Sequence, residues 1–276
     1  MKLTDCKLGL GTWMLGNNPQ SYASEIEVIR QGIENGLKVI DTAEMYGEGR
    51  SELLIGEAIK PFKREDIYLV SKVYPHNASL KNMQKSCTNS LKRLGTDYLD
   101  LYLLHWRGGV PLEETVAAFE DLKSKGYIKD WGVSNFDTDD MQELWSIPNG
   151  SKCIANQVLY HIGDRGIEYD LIPWLEKNNV ALMAYSPLAS NPGFRQAIIQ
   201  SPAILQVAQK HNASVYQIML AFAVRHPNSI AIPRTSSLNH LQQNIQSQNI
   251  KLDDQDLKII NSAFPPPTRK VPLGII

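Results

Sequence analysis

Cysteine is scarce: Cys6, Cys87 and Cys153 are the only three in 276 residues. Their number is odd and no C-x-x-C occurs, which disfavours both a disulfide framework and a zinc cage; each is expected to be a small buried apolar residue. An excess of one charge is missing too. Lys+Arg number 28 against 29 Asp+Glu, net -1, so no positive field exists to hold a phosphate backbone and nucleic acid is not an expected partner. No apolar run approaches the ~18 residues of a membrane span, and Met1-Lys2-Leu3-Thr4-Asp5-Cys6 lacks the apolar stretch of a signal peptide. The expectation is a cytoplasmic protein without a membrane partner, in which the N-x-S sequons at Asn77, Asn149 and Asn212 stay idle. No heptad or long apolar stripe marks the surface, so a monomer is expected.

Familiar motifs are absent as well. Gly9-Leu10-Gly11 is followed by Met14 where a dinucleotide fingerprint needs its third glycine, which disfavours a Rossmann site. Gly11-x4-Gly16 imitates half a P-loop, but Asn17-Asn18 replaces the lysine and hydroxyl residue. There is no G-x-S-x-G, no H-E-x-x-H, and the six histidines show no ligand spacing, so no metal is expected.

What is present is alternation. Short β-rich runs, Lys7–Leu10, Leu37–Ile40, Ile67–Val70, Tyr98–Leu104, Lys129–Val133, Cys153–Asn156, Val180–Ala184 and Ser229–Ile232, are separated by segments with helical apolar spacing such as Ile26, Ile29, Ile33 and Val116, Phe119, Leu122. Their ends fall mostly roughly 22 to 33 residues apart, the length a βα unit needs. The long gap between Tyr185 and Ile232 leaves room for an extra helix around Ala203–His211 before the one at Val215–Arg225. Eight such units without a linker predict one domain over residues 1–276, a (β/α)8 TIM barrel of the α/β class, with a doubly wound sheet as the alternative.

Barrels carry their chemistry where strands end. Asp41 closes Val39-Ile40-Asp41, Tyr46 follows five residues later, Lys72 closes Leu69-Val70-Ser71-Lys72, and His105 closes Leu103-Leu104-His105. Singly, an Asp after a strand caps a helix, a Lys is solvated and a Tyr packs. Together at one rim they suit proton transfer. A reaction that builds negative charge on an oxygen needs a proton donor, and Tyr46 can be that donor if its pKa falls from about 10 toward neutrality. Lys72 would supply the ammonium that lowers it, Asp41 would keep that lysine charged and aimed, and a neutral His105 would orient that oxygen.

These segments, with Gly132-Val-Ser134-Asn135, Asn156-Gln157, Tyr185-Ser186-Pro187-Leu188 and Ile232-Pro233, stand in the order of the aldo-keto reductases, which the sequence resembles along nearly its whole length. Within that family it is most similar to small bacterial members that reduce methylglyoxal, notably through Asn156–Asp170. The resemblance implies the catalytic tetrad Asp41, Tyr46, Lys72 and His105, and reduction of a small-molecule carbonyl, an aldehyde or 2-oxoaldehyde, by NADPH, with NADH a weaker possibility. It further implies that Ser134, Asn135 and Gln157 hold the carboxamide, that Tyr185 stacks on the nicotinamide, and that Ser186 and Leu188 approach the pyrophosphate. Arg234, Thr235 and Ser236, at the start of a helix, suit a 2′-phosphate, with His240 as a second contact and Gln243 and Asn244 at the adenine.

Two departures stand out. Many relatives carry lysine at the place of Arg234 and arginine at that of His240, and Arg107-Gly108-Gly109 follows Trp106 where a proline is common. With a short tail after Pro265-Pro266-Pro267, the expected substrate pocket is shallow, walled by Trp13 and Trp106, while Trp131 is expected in the core. Two other readings compete. Lys72 could be a Schiff-base nucleophile, or the chain could be a nucleotide-sensing subunit; the first leaves the Tyr185 and Arg234 segments unexplained and the second leaves the tetrad idle.

Overall fold

Parallel strands need a crossover of a dozen or more residues, and helices supply it. The computed structural model describes residues 1–276. Its strands are β1 (Gly9–Gly11), β2 (Val39–Asp41), β3 (Tyr68–Val73), β4 (Leu99–Leu104), β5 (Ile128–Ser134), β6 (Ala155–Leu159), β7 (Ala181–Tyr185) and β8 (Ser229–Ala231). All pair in parallel in sequence order. Parallel bridges Leu8 to Ala231 and Gly11 to Arg234, with the bond from Gly11 N to Pro233 O at 3.1 Å, join β8 back to β1. The sheet is therefore a (β/α)8 barrel, and the doubly wound alternative falls.

The helices wrapping it are α1 (Tyr22–Glu34), α2 (Arg50–Ile59), α3 (Leu80–Leu94), α4 (Leu112–Ser124), α5 (Thr138–Ser146), α6 (Leu171–Lys177), α7 (Pro192–Ile199), α8 (Pro202–Lys210), α9 (Val215–Ala223), α10 (Leu238–Ser247) and α11 (Asp254–Ala263). Local chemistry starts several of them: Ser79, Ser214, Ser237 and Asp253 accept a backbone N–H from the first turns of α3, α9, α10 and α11. The expected extra helix is α8, and α7 is a further one that the sequence did not announce. Its residues are mostly exposed and only Ile198 is buried, so no apolar period marks it.

Side chains alternate across each strand, and the two sets build two cores. Outward residues such as Ile40, Leu69, Tyr102 and Trp131 pack under the helices in a cluster of 58 buried residues. Inward residues such as Val39, Val70, Leu101, Leu103, Ala155, Met183 and Ile230 fill the barrel. Gly132 is glycine because a Cβ there would stand 2.5 Å from the Ala155 carbonyl. Counting onward by twos from this inner set reaches Asp41, Lys72, His105, Gln157 and Tyr185 at the strand ends, so the same alternation that fills the barrel aims these side chains into its mouth.

Several expectations need adjustment. The sixth strand begins two residues later than expected and runs on to Leu159, and Cys6 is half-buried whereas Cys87 and Cys153 are buried. The segment after α11 runs back past the loops after β5 and β6 to the cavity at the barrel mouth. Lys270 sits among Asp137, Asp139 and Asp170 at 3.5, 3.1 and 3.4 Å, and Leu273 packs on the core.

Candidate active site

The loop after β2 is pinned to β3. Thr42 N donates to Val70 O at 2.9 Å, and the Glu44 carboxylate accepts from Tyr74 N at 2.7 Å and Asn77 Nδ2 at 3.2 Å. Tyr46 then begins a short 3-10 turn, Tyr46–Gly49, that hangs its ring over the barrel. Beneath it Lys72 is fully buried, and all three of its N–H donors are used: to Asp41 Oδ2 at 2.8 Å, Thr42 O at 3.0 Å and Tyr46 OH at 3.0 Å. The second Asp41 oxygen accepts from Gln157 Nε2 at 2.8 Å. Because the Tyr46 oxygen accepts from Lys72 and the phenol donates to no protein group, its own proton is free to face the cavity.

Charge in this cluster is set by burial against pairing. Burial pushes the Lys72 ammonium down, but Asp41 and Tyr46 outweigh it and hold it above its ordinary value. For Tyr46 the balance runs the other way: burial raises the phenol, and the lowering by Lys72 does not cancel it, so the pKa stays above its ordinary value. This corrects the expected fall toward neutrality. Tyr46 is thus held toward the phenol, and the ammonium beneath it acts as negative charge begins to form on the phenol oxygen. Burial, with Lys72 second, pushes His105 down to about 3, so the imidazole is neutral as expected. Its edge meets the Tyr46 ring at a centroid distance of 5.8 Å, and its buried Nδ1 has no partner.

Above these groups lies a cavity of about 180 Å³ that opens into an outer groove of about 550 Å³, the two sharing Trp13, Ser186 and Arg234. The inner cavity is lined by Asp41, Tyr46, His105, Ser134, Asn135, Gln157 and Tyr185, together with Trp13 and Trp106. Leu188, Thr235, His240, Gln243 and Asn244 line the outer groove. Thus all the expected site residues line the cavity or the groove except two. Lys72 stands behind Tyr46 rather than in the wall, and Ser236 is exposed outside the groove. Trp131 is buried and donates Nε1 to Glu120 at 2.8 Å, as expected of a core residue.

The expected nicotinamide contacts are already bonded to one another. Tyr185 OH donates to Asn135 Oδ1 at 2.8 Å, Asn135 Nδ2 donates to His105 O at 3.1 Å, and Ser134 Oγ donates to Gln157 O at 2.8 Å. Asn135 and Ser186 sit at φ 59° and 46°, left-handed conformations that turn the chain sharply after β5 and β7. Gly11 lets β1 press against β8, since a Cβ would come 2.5 Å from Ile232 O.

Some lining residues escaped the sequence reading. Thr12 and Met45 neighbour recognised residues and could have been read from strand ends; Arg195 and Tyr216 lie in the long gap after Tyr185, where nothing distinguished them. Ile276, from the segment after α11, also lines the inner cavity. The inner cavity thus gains an apolar lining residue from a chain segment distant in sequence.

No group of three or more His, Cys, Asp or Glu side chains is placed to hold a metal ion, and no helix is long and apolar enough to cross a membrane. The pattern of the aldo/keto reductase family matches residues 7–264. The methylglyoxal reductase YeaE of Escherichia coli strain K12 is 46% identical over 269 residues, covering 98% of this chain and 94% of that protein. The glyoxal reductase of Bacillus subtilis strain 168 is 30% identical over 92% of this chain and 87% of its own length. A crystal structure of an aldo-keto reductase from Klebsiella pneumoniae in complex with NADPH superposes with a TM-score of 0.95 at 46% identity, covering 98% of this chain and 94% of that one.

Proposed function

The chain belongs to the aldo/keto reductase family and is an oxidoreductase; from that premise we propose that it reduces small aldehydes, 2-oxoaldehydes such as methylglyoxal foremost, to alcohols with NADPH. The observation that carries this reading is the polarity at Tyr46, whose oxygen accepts from a buried ammonium while its proton remains unclaimed beside a neutral histidine.

The groove fits the dinucleotide. No Asp or Glu lines its outer part, which carries arginines, hydroxyls and the amides of Gln243 and Asn244, a donor set for an anion at one end and a base at the other. Ser134, Asn135, Gln157 and Tyr185 would hold the nicotinamide end, Ser186 and Leu188 would approach the pyrophosphate, and Arg234, Thr235 and His240 would face the 2′-phosphate. Gln157 spends Nε2 on Asp41, which leaves its Oε1 as the acceptor for a carboxamide N–H. Reduced nicotinamide, when bound, supplies hydride to the carbonyl carbon.

The protein's part is to receive the charge that then develops on oxygen. His105, neutral throughout the physiological range, orients the carbonyl oxygen toward Tyr46. Tyr46 transfers its proton to that oxygen, and Lys72, 3.0 Å from the phenol oxygen, stabilises the phenolate left behind. Asp41 keeps Lys72 protonated in a site where burial alone would strip it. Proton transfer of this kind is worth roughly 10² to 10⁴ in rate. Trp13, Trp106 and Ile276 bound a space suited to a few carbons, so a small aldehyde is desolvated well and a steroid is not.

The test is NADPH consumption across methylglyoxal, a short aldehyde, an aromatic aldehyde, an aldose and a steroid ketone. Methylglyoxal is expected to give the highest kcat/KM. A steroid or aldose preferred by about tenfold would refute the size argument, since roughly 1.4 kcal/mol of transition-state binding would then come from contacts the cavity lacks. Borohydride trapping of substrate on Lys72 would favour the Schiff-base alternative instead, although a lysine with all three N–H groups engaged at neutral pH is no nucleophile.

A further inference from the structure

The cofactor groove holds a cation to which neither the sequence nor the tetrad gives a task. Only two lysine or arginine side chains line the combined cavity, Arg234 beyond β8 and Arg195 on α7. A phosphorylated dinucleotide brings two separate anionic groups, the diphosphate bridge and the 2′-phosphate. On the proposed reading of the groove Arg234 faces the second, which leaves Arg195 as the remaining cation for the first.

Arg195 is built to serve it. Its Nε donates to the backbone carbonyls of Ala189 at 2.8 Å and Leu188 at 3.3 Å, while neither Nη atom bonds a protein group and no carboxylate pairs with it. The turn it braces is itself unusual. Ser186 and Ala189 both have left-handed φ, 46° and 56°, and Ala189 N closes on Ser186 O at 2.9 Å. The N–H groups of Leu188 and Ser190, in the same lining segment, have no acceptor in the protein. A guanidinium with its terminal nitrogens free and two unspent amides thus share one bank of a groove without acidic residues. That combination suits an anion with several oxygens.

We propose that Arg195 clamps the diphosphate bridge of the bound dinucleotide, with its Nη atoms on the phosphate oxygens while Nε stays on the turn. The assignment rests on the dinucleotide reading of the groove. It makes Arg195 indifferent to the 2′-phosphate and Arg234 responsible for it.

Trp13 lines both parts of the cavity, so intrinsic fluorescence can follow titrations of NADP⁺, NAD⁺ and 2′-AMP into the whole protein. Arg195→Ala and Arg195→Gln are expected to weaken NADP⁺ and NAD⁺ by the same factor, about tenfold for the loss of a charge-assisted contact, and to leave 2′-AMP unchanged. Arg195→Lys should recover part of the loss, and Arg234→Ala should show the opposite pattern, weakening NADP⁺ and 2′-AMP but not NAD⁺. Glutamine retains a donor for the two carbonyls, so wild-type binding by Arg195→Gln would reduce the arginine to a brace and overturn the proposal. Loss of 2′-AMP in step with NADP⁺ would overturn it too. A wild-type protein that responds to no dinucleotide would refute the function reading and this assignment with it, whereas wild-type binding with unaltered Arg195 variants would refute this assignment alone.

Discussion

Replacing Asp41 by asparagine removes one charge and almost no volume from the centre of the site. In the native protein Asp41 and Lys72 are 2.8 Å apart with side chains 2% and 0% exposed, so water contributes nothing to keeping the ammonium charged. Breaking a buried pair typically costs about 3–5 kcal/mol, and the lower end applies here because the asparagine Oδ1 still accepts from Lys72. At about 2–4 °C per kcal/mol for chains of ~150–250 residues, the melting temperature should fall by roughly 6 °C or more. The sign with pH follows from Lys72. In the native protein its pKa is raised, so its contribution to stability is fully present below the unfolded value of about 10.4 and is lost as pH climbs through the folded value. In the variant burial dominates and the folded pKa drops below the unfolded one, so the penalty is largest near neutrality and relaxes as pH rises. The stability gap between the two proteins should therefore narrow from about pH 7 toward about pH 10. Activity should suffer more than stability, by roughly 10² or more in kcat, because Tyr46 loses the cation that stabilises its phenolate. Thermal melts across this pH range, with kcat for methylglyoxal, make the assay. A variant with kcat within about twofold of native and a melting temperature within about 2 °C would refute the reasoning.

Three further outcomes are expected. Arg234→Ala should raise the KM for NADPH about tenfold and barely change that for NADH, a contrast read from parallel kinetics with the two cofactors. Because His105 is neutral down to about pH 3, substrate KM should be flat between about pH 5 and 8; an inflection near its ordinary value of about 6.5 would show that the buried imidazole titrates. Lys270→Ala removes the cation held by Asp137, Asp139 and Asp170 and should loosen the segment that brings Ile276 to the cavity. An aromatic aldehyde should then gain at least about threefold in kcat/KM relative to methylglyoxal, and unchanged ratios would show that this segment does not limit substrate size.

The barrel was legible because strands buried on both faces read as short continuous apolar runs, and Leu99-Asp-Leu-Tyr-Leu-Leu is buried throughout. The inner half of the site was legible for a related reason. A side chain two residues beyond an inward-facing Val or Leu points into the barrel mouth, so Asp41, Lys72 and His105 could be placed from strand ends alone. Three things escaped. The direction of the Tyr46 pKa depends on the balance between its burial and the Lys72 ammonium, which no spacing reveals. α7 presents one buried residue to the barrel, too few for a period, and Arg195 was hidden with it. Ile276 reaches the cavity from the far end of the chain, in a segment held by ion pairs of Lys270 with Asp137, Asp139 and Asp170, a hundred or more residues earlier, and pairing of that kind leaves no local trace.

The central claim is that Tyr46 donates the proton. It is tested most directly by Tyr46→Phe, which deletes one hydroxyl from beneath the cavity and leaves the ring and the groove intact. Its kcat for methylglyoxal should fall by roughly 10² to 10⁴ while its Kd for NADPH, measured by fluorescence on the same preparation, stays within about twofold of native. A variant that binds NADPH normally and turns over at a near-native rate would contradict the account.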